Sequence, residues 1–224
     1  MAFAVQGTTG GKATATGFSN IPVAPIFIID NSKIIILFPM RPGTLLISQP
    51  FLGDPNFERS VVLLCRDEAE HGSFGLVLNR LTALTLGDVL DLPAEAAVTA
   101  AGLPLYLGGP VEPNTLHYLH RRADLPGARD LGQEVYWGGD FEELLGLLVS
   151  GAVGADEVRL FAGYSGWSVG QLAGEMQGQS WIRHPASAGK VFTLASDAFW
   201  REILREKGGR FKVLANYPVD PRLN

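Results

Sequence analysis

The chain has 224 residues, of which 46% are hydrophobic and 18% are charged, and its formal net charge is −5. This length suits one domain, or one domain with a subdomain, and the composition is typical of a globular protein and not of a disordered chain. The acidic balance argues against direct nucleic-acid binding, because phosphate contacts depend on clustered lysines and arginines, and the basic stretches 120–122 and 201–210 are short or interrupted by glutamates.

The single cysteine, Cys65, excludes a disulfide within the chain and favours a reducing compartment. It ends the apolar run that begins at residue 61, which favours a buried core residue over a nucleophile. The apolar stretch 21–39 is interrupted by prolines and charged residues, so it is not typical of a membrane span. Residues 1–20 lack the pattern of a signal peptide. We therefore expect a cytoplasmic protein with no membrane partner.

The first 39 residues differ in composition from the rest of the chain. Residues 1–20 are rich in glycine, threonine and alanine, and residues 21–39 are rich in isoleucine, phenylalanine and proline. We interpret residues 1–39 as a disordered or non-native extension, with Met40 as the natural start and residues 40–224 as a single domain. The alternative is a natural tail, starting at Met1, whose IFIID or IIILF segment adds a strand. Residues 1–20 are expected to lack regular structure.

The first half of the body is rich in strand-like segments. Apolar runs and alternation predict strands over residues 44–49, 60–65, 73–79, 103–107 and 115–120. The first three are expected to form a meander. Gly53-Asp54-Pro55-Asn56 has the composition of a turn. Thr85 is predicted to cap a short helix over residues 86–90, because Asp88 lies three residues further on. Residues 125–132 are predicted to be a loop.

The second half alternates strands with helices. Strands are predicted over residues 135–137, 158–164, 181–184 and 190–194, and helices over residues 141–150, 168–177 and 198–207. The helix at 141 has Asp140 as its predicted cap, and the last helix has Ser196 or Asp197. The tail from residue 213 is expected to lie on the surface. This order predicts a mixed α+β domain with a largely antiparallel, irregular sheet and several helices.

Residues 166–170 read Gly-Trp-Ser-Val-Gly and match the pattern of a nucleophile elbow, with a predicted strand before and a helix after. A hydrolase that uses Ser168 would need an acid and a histidine downstream, and Glu175 and His184 follow much sooner than in an α/β-hydrolase. The other interpretation is a tight strand-to-helix turn, which Gly166 allows and Trp167 anchors in an apolar pocket.

The two histidines of the motif HYLH are His117 and His120. On a strand they point to opposite faces, so the spacing does not predict a metal site, and we expect one buried and one solvent-facing ring. No cofactor is predicted.

Gly108-Gly109-Pro110 indicates a sharp turn, or alternatively backbone amides that line an anion or small-molecule pocket. Asp54 is predicted to close an Asx-type turn, and Asn79 to satisfy loop backbone groups.

Several separated segments, in order, resemble the YqgE/AlgH family of bacterial proteins. They are GTLLISQPFLGDPNFERSVVLLC, GLVLNR, LGGPV, LFAGYSGWSVGQL and Trp181, so the resemblance covers about residues 41–207. It implies a mixed α+β fold with an irregular sheet and no established catalytic activity. Some family members carry a transcriptional-regulator label, but the acidic body shows no helix-turn-helix or basic recognition helix.

We therefore expect a non-enzymatic accessory or regulatory protein that acts through a protein or small-ligand partner. The alternatives are a hydrolase, using Ser168 or a pocket of Asp54, Asn79 and His120, and a regulator that binds DNA directly. The surface for the partner is expected at the three glycine-rich turns, because loops often carry function. The candidate residues are Asp54, Asn79, Gly108, Gly109, Pro110, His120, Gly166, Trp167 and Gln171.

Overall fold

The computed structural model describes residues 40–193 and 198–218 in full, together with the backbone of residues 4–5, 26–30 and 33–37. The strands are Ala4–Val5 (β1), Ile26–Asp30 (β2), Lys33–Leu37 (β3), Thr44–Ser48 (β4), Val61–Glu68 (β5), Gly72–Val77 (β6), Leu81–Thr85 (β7), Pro104–Leu107 (β8), Val111–His120 (β9), Arg129–Asp130 (β10), Tyr136–Trp137 (β11), Val158–Trp167 (β12) and Trp181–Pro185 (β13). The helices are Leu86–Val89 (α1), Ala94–Ala100 (α2), Phe141–Val149 (α3), Gln171–Gln177 (α4), Ala188–Phe192 (α5), Phe199–Lys207 (α6) and Arg210–Leu214 (α7).

The main sheet is irregular and largely antiparallel, which confirms the predicted α+β class. Its strands follow the order β10-β11-β9-β12-β6-β5-β4-β13, and β8 joins at β12 and carries β7 on its other side. Strands β4, β5 and β6 form the predicted meander. Parallel pairing occurs between β8 and β12 and between β1 and β9. Strands β2 and β3 pair with each other in a separate sheet, so residues 26–30 and 33–37 do not extend the main one.

The long strand β12 changes partners along its length, which makes the sheet fork. Its first half pairs with β9 and β8, and residues 165–167 pair with β6. The register shifts between Ala162 and Tyr164, at Gly163, whose φ is +65°. A Cβ on Gly163 would lie 2.8 Å from the carbonyl oxygen of Val111, so glycine is required at this bulge.

Within residues 40–193 and 198–218, the buried hydrophobic side chains form three clusters. The largest packs one face of the sheet against α5, α6 and α7, and includes the fully buried Trp200. A second cluster packs β8, β9 and β12 against α1, α2 and α3. A third and smaller cluster surrounds Trp167 and Trp181, beneath α4. The third cluster lies at the end of β12 where the chain turns into α4, and it therefore positions the glycine-rich turn.

The strand predicted over residues 190–194 is wrong. Residues Ala188–Phe192 form helix α5, and the Ser187 hydroxyl accepts a hydrogen bond of 3.4 Å from the Lys190 amide at its first turn. A short apolar run such as this one fits a buried helix and a buried strand equally well. The predicted caps Ser196 and Asp197 lie outside the described residues.

Within residues 40–193 and 198–218, and besides α5, four of the helices and strands named above are not predicted by the sequence patterns. They are α2, α7, β7 and the two-residue β10, which interrupts the predicted loop at 125–132. The expected lack of structure in residues 1–20 is also wrong at Ala4–Val5, which pairs with β9. The predicted α1 and α3 are confirmed with their caps. The Asp88 carboxylate accepts hydrogen bonds from the Thr85 amide and hydroxyl, and Asp140 accepts from the Glu143 amide.

Candidate functional site

The loop over residues 53–59 is fixed by hydrogen bonds at both ends. The Asp54 carboxylate accepts a hydrogen bond of 2.8 Å from the Asn56 amide, which is the expected Asx turn. Asn79, two residues after β6, accepts a hydrogen bond from the Val61 amide at 2.8 Å and donates one to the Arg59 carbonyl at 2.9 Å. The neighbouring Arg80 donates to the Pro55 carbonyl at 3.0 Å. The side chain of Asn79 therefore satisfies loop backbone, as predicted, and is 6% exposed.

Aromatic stacking connects this loop to the glycine-rich turn after β12. Phe57 stacks on Trp167 at a centroid distance of 6.1 Å and meets the edge of Trp181 at 5.4 Å. The two indoles lie edge to face at 6.0 Å, and each is 4% exposed. Trp167 is thus an anchor of the third cluster, as its apolar neighbours predict. The loop and the turn are therefore packed into a single unit.

The carboxylate of Glu175 holds the polar side of this unit. It accepts hydrogen bonds from the indole nitrogen of Trp167 at 2.9 Å, from that of Trp181 at 2.7 Å and from the Gln171 amide at 2.9 Å. The carbonyl of Gln171 in turn accepts from the Ser168 amide at 3.0 Å. Gly170 takes a φ of +77°, which starts α4 in a left-handed conformation. Trp167, Gly170 and Gln171 therefore each help to build this turn.

Gly108 and Gly109 lie buried in the fork of the sheet. The Gly108 amide donates to the Ala162 carbonyl at 2.9 Å, and its own carbonyl accepts from the Ser165 hydroxyl at 3.0 Å. A Cβ on Gly109 would lie 2.3 Å from the Tyr164 backbone. The sharp-turn interpretation accounts for both glycines, and the Gly108 amide is already bonded within the fold. Pro110, which follows, is exposed.

His120 lies at the opposite end of β12 from the glycine-rich turn. It pairs with Val158, nine residues before Trp167, which corresponds to about 30 Å along a strand. Its Nε2 lies 2.8 Å from the Gly138 carbonyl, and its Nδ1 accepts from the Arg122 amide at 3.1 Å. These partners fix the neutral ring with the proton on Nε2, and burial lowers the pKa of His120. In the described ranges, no hydrogen bond or ring contact joins His120 to Asp54 or Asn79, whose side chains are bonded to loop backbone instead.

The expectation that one of the two histidines faces solvent is wrong. His117 is 5% exposed and His120 is fully buried. The His117 Nε2 lies 3.1 Å from the Thr115 hydroxyl, and its ring packs edge-on against Phe74 at 5.1 Å. Burial lowers the pKa of His117 to about 4. Both faces of β9 are covered, because the sheet carries core clusters on both sides. In the described ranges, no group of three or more histidine, cysteine, aspartate or glutamate side chains is arranged to hold a metal ion.

Ser168 is exposed. Its φ is not positive, so its backbone does not have the strained conformation typical of a nucleophile elbow. Among residues 40–193 and 198–218, no hydrogen bond joins its hydroxyl to a histidine, and Glu175 is bonded to the two indoles. Cys65 is 3% exposed, and burial raises the pKa of its thiol. Neither side chain therefore shows the surroundings of an activated nucleophile.

An open groove of about 650 Å³ lies between the α1–α2 segment and α3, and the sequence patterns did not predict it. Its apolar lining includes Leu90, Leu92, Phe141, Leu145 and Val149. The acidic residues at its rim are Asp91, Glu95 and Glu142. The groove depends on α2, which is absent from the predicted elements. One sequence feature could have indicated the groove. Helix α3 has a second apolar stripe beside the one that buries Leu144 and Leu148.

The fold defines the chain as an α+β protein built on a forked, largely antiparallel sheet. A family model described as AlgH-like matches residues 45–212. A relative from Cytophaga hutchinsonii, named a UPF0301 protein, is 44% identical over 184 residues, which span 81% of this chain and 98% of that protein. A UPF0301 protein from Bacteroides thetaiotaomicron is 34% identical over 199 residues, which span 89% of this chain and 97% of that protein. The chain belongs to the AlgH-like family, and the resemblance seen in the sequence is confirmed.

Two solved structures are similar to this fold. The solution structure of the AlgH protein from Pseudomonas aeruginosa has a TM-score of 0.61 and 26% identity, over 79% of this chain and 94% of that one. The crystal structure of a protein from Corynebacterium diphtheriae has a TM-score of 0.63 and 22% identity, over 80% of this chain and 93% of that one. The second likeness concerns the fold alone. Among the helices in the described ranges, none combines the length and apolarity needed to cross a bilayer.

Proposed function

We propose that this protein is a non-enzymatic accessory or regulatory protein that binds a partner protein in the cytoplasm. The binding surface is formed by residues 53–57 and 166–171, here called the turn surface. Of the candidate residues, Asp54, Gly166, Trp167 and Gln171 belong to it, and Asn79 supports it from below. Gly108 and Gly109 shape the fork, and His120 lies at the far end of β12.

The observation that carries this proposal is the packing of Phe57 against Trp167 and Trp181. It makes two loops that are distant in sequence into one rigid surface, held further by the Glu175 carboxylate. A preorganised surface binds with a smaller loss of conformational entropy than mobile loops do. Val169, which is 49% exposed, presents an apolar side chain at its tip. Binding residues often lie on loops that a rigid scaffold positions in this way.

The experiment is an affinity purification of the tagged full chain with Val169 replaced by glutamate. The host is a bacterium that has its own protein of the AlgH-like family. The matched control is Val213→Glu, on α7, where the valine is 63% exposed. We expect the wild-type and control proteins to retain the same stable partner, and Val169→Glu to lose it while its circular dichroism is unchanged. Equal retention by both variants contradicts the turn surface. Fluorophosphonate labelling that disappears in Ser168→Ala would instead support a hydrolase.

A further inference from the structure

The groove between α2 and α3 lies in a part of the chain that carries acidic residues without basic ones. Residues 81–120 and 138–158 contain no lysine or arginine and nine acidic residues, which are Asp88, Asp91, Glu95, Glu112, Asp140, Glu142, Glu143, Asp156 and Glu157. Every residue that lines the groove belongs to these two stretches. A surface of one sign of charge attracts partners of the opposite sign and raises their association rate.

The three rim carboxylates form no ion pair with the part of the chain that the structure describes in full. Within residues 40–193 and 198–218, no ion pair includes Asp91, Glu95 or Glu142. All three side chains are exposed. Their charge therefore acts outward, at the mouth of the groove, and is available to lysines or arginines of another molecule.

The floor of the groove is an apolar stripe along α3. Phe141, Leu145 and Val149 are spaced by four residues and share one face of the helix, next to the face that buries Leu144 and Leu148 in the core. Val149 is 39% exposed, and Leu90 and Leu92 line the opposite wall. From Phe141 to Val149 the helix rises about 12 Å, which is close to the length of an i to i+7 stripe on a second helix, about 10 Å.

We propose that this groove binds a cationic amphipathic helix of a partner protein. Large aliphatic side chains of the partner insert between α3 and the wall formed by Leu90 and Leu92. They are spaced at i, i+3 or i+4, and i+7, as in other helix-in-groove complexes. Lysines or arginines that flank this stripe meet Asp91 and Glu95 on one side and Glu142 on the other. Apolar burial supplies affinity, and the acidic rim selects the sign of the partner's charge. This site is separate from the turn surface, so either proposal can fail without the other.

The test uses the full chain and three fluorescent peptides of about 18 residues, long enough to form a helix. One peptide has a leucine stripe with lysines, the second has the same stripe with glutamates, and the third has the composition of the first in scrambled order. Fluorescence anisotropy at about 50 mM and about 300 mM salt separates screened charge from apolar contact. We expect micromolar binding of the lysine peptide, and binding at least tenfold weaker for the other two.

The matched variants are Glu95→Lys/Glu142→Lys at the rim and Glu70→Lys, an exposed acid outside the groove, as the control. The rim variant should weaken binding of the lysine peptide at least tenfold, and Leu145→Ser should weaken it at both salt concentrations. The control should stay within about twofold. Equal binding of the lysine and glutamate peptides, or full retention by the rim variant, would overturn the proposal. A small apolar dye that binds while no peptide does would assign the groove to a small ligand. Self-association lost in the rim variant would assign it to a second copy of this chain.

Discussion

Replacement of Asn79 by alanine should destabilise the fold strongly, although the side chain lies in the GLVLNR segment that carries the family resemblance and is a candidate for function. Its amide joins the start of β5 to the 53–59 loop through the Val61 amide and the Arg59 carbonyl. Alanine can replace neither the acceptor nor the donor. The Val61 amide is buried and would then lack a partner within the fold.

The expected loss follows from the two bonds and from the burial of one partner. Loss of the bond to the Arg59 carbonyl costs about 1 kcal/mol net, and loss of the bond from the buried Val61 amide costs about 1–3 kcal/mol, because that donor is left unsatisfied. The free energy of unfolding should therefore fall by about 2–4 kcal/mol, against a total of about 5–15 kcal/mol for an ordinary domain. For a chain of this size, the melting temperature should fall by about 5–15 °C.

Urea denaturation followed by tryptophan fluorescence measures this loss. The matched control is Asn114→Ala, because Asn114 is an exposed asparagine on β9. That variant should stay within about 0.5 kcal/mol of the wild type. If Asn79→Ala also stays within that range, the two hydrogen bonds do not hold the loop. Asn79 would then be free for a role in binding.

Three further measurements test the buried groups. Trp167→Ala should lower the free energy of unfolding by about 3–5 kcal/mol, since the indole is buried and bonded to Glu175; an unchanged melting curve would contradict its role as an anchor. Burial lowers the pKa of His117 in the folded state to about 4 from its usual value of about 6.5. The unfolded chain therefore takes up this proton first, and the stability of the fold decreases as the pH falls from about 6.5 towards 4. Between about pH 7 and pH 4.5, His117→Phe should therefore lose about 2–3 kcal/mol less stability in urea than the wild type does, and equal losses would refute this. Cys65 should react with a thiol reagent at about pH 8 only after unfolding, and rapid labelling of the native protein would show that the strand opens.

The sequence predicts elements best where local chemistry and tertiary packing agree. The meander of β4, β5 and β6 is read from continuous apolar runs, because those strands are buried on both faces. Helix α3 is predicted from its stripe of apolar residues at helical spacing and from Asp140, which caps the helix as expected. In both cases the hydrophobic period and the end signals indicate the same element.

Elements are missed where tertiary contacts decide between conformations that the local sequence allows equally. Helix α5 contains Val191 and Phe192, which are at home in a strand, but both pack as a helix against the sheet in the largest core cluster. Helix α2 is short and rich in alanine, so it has no stripe that separates it from a loop. The groove is not predicted either, because α2 forms one of its walls and the sequence does not predict α2.

The candidate site was partly predictable, because turn chemistry is local and assembly is not. The Asx turn at Asp54 and the bonding role of Asn79 follow from residue type and position. The contact of Phe57 with Trp167 joins residues that are far apart in sequence, and no pattern in a single chain specifies it. The placement of His120 at the far end of β12 follows from strand register, which the sequence leaves open.

The motifs that identify the family and the surfaces that are free to bind are largely different parts of this molecule. Asn79, Trp167 and Gly108 direct their polar groups into the fold, so substitutions there should change stability first and binding only as a consequence. In the described ranges, Val169 and the rim acids of the groove make no such bonds, so substitutions there should change binding while stability is preserved. Comparing these two groups of variants therefore shows whether a loss of function in cells comes from lost stability or from lost binding. If the groove variants alone impair function in cells, the family motifs encode the scaffold, and the acidic groove encodes the choice of partner.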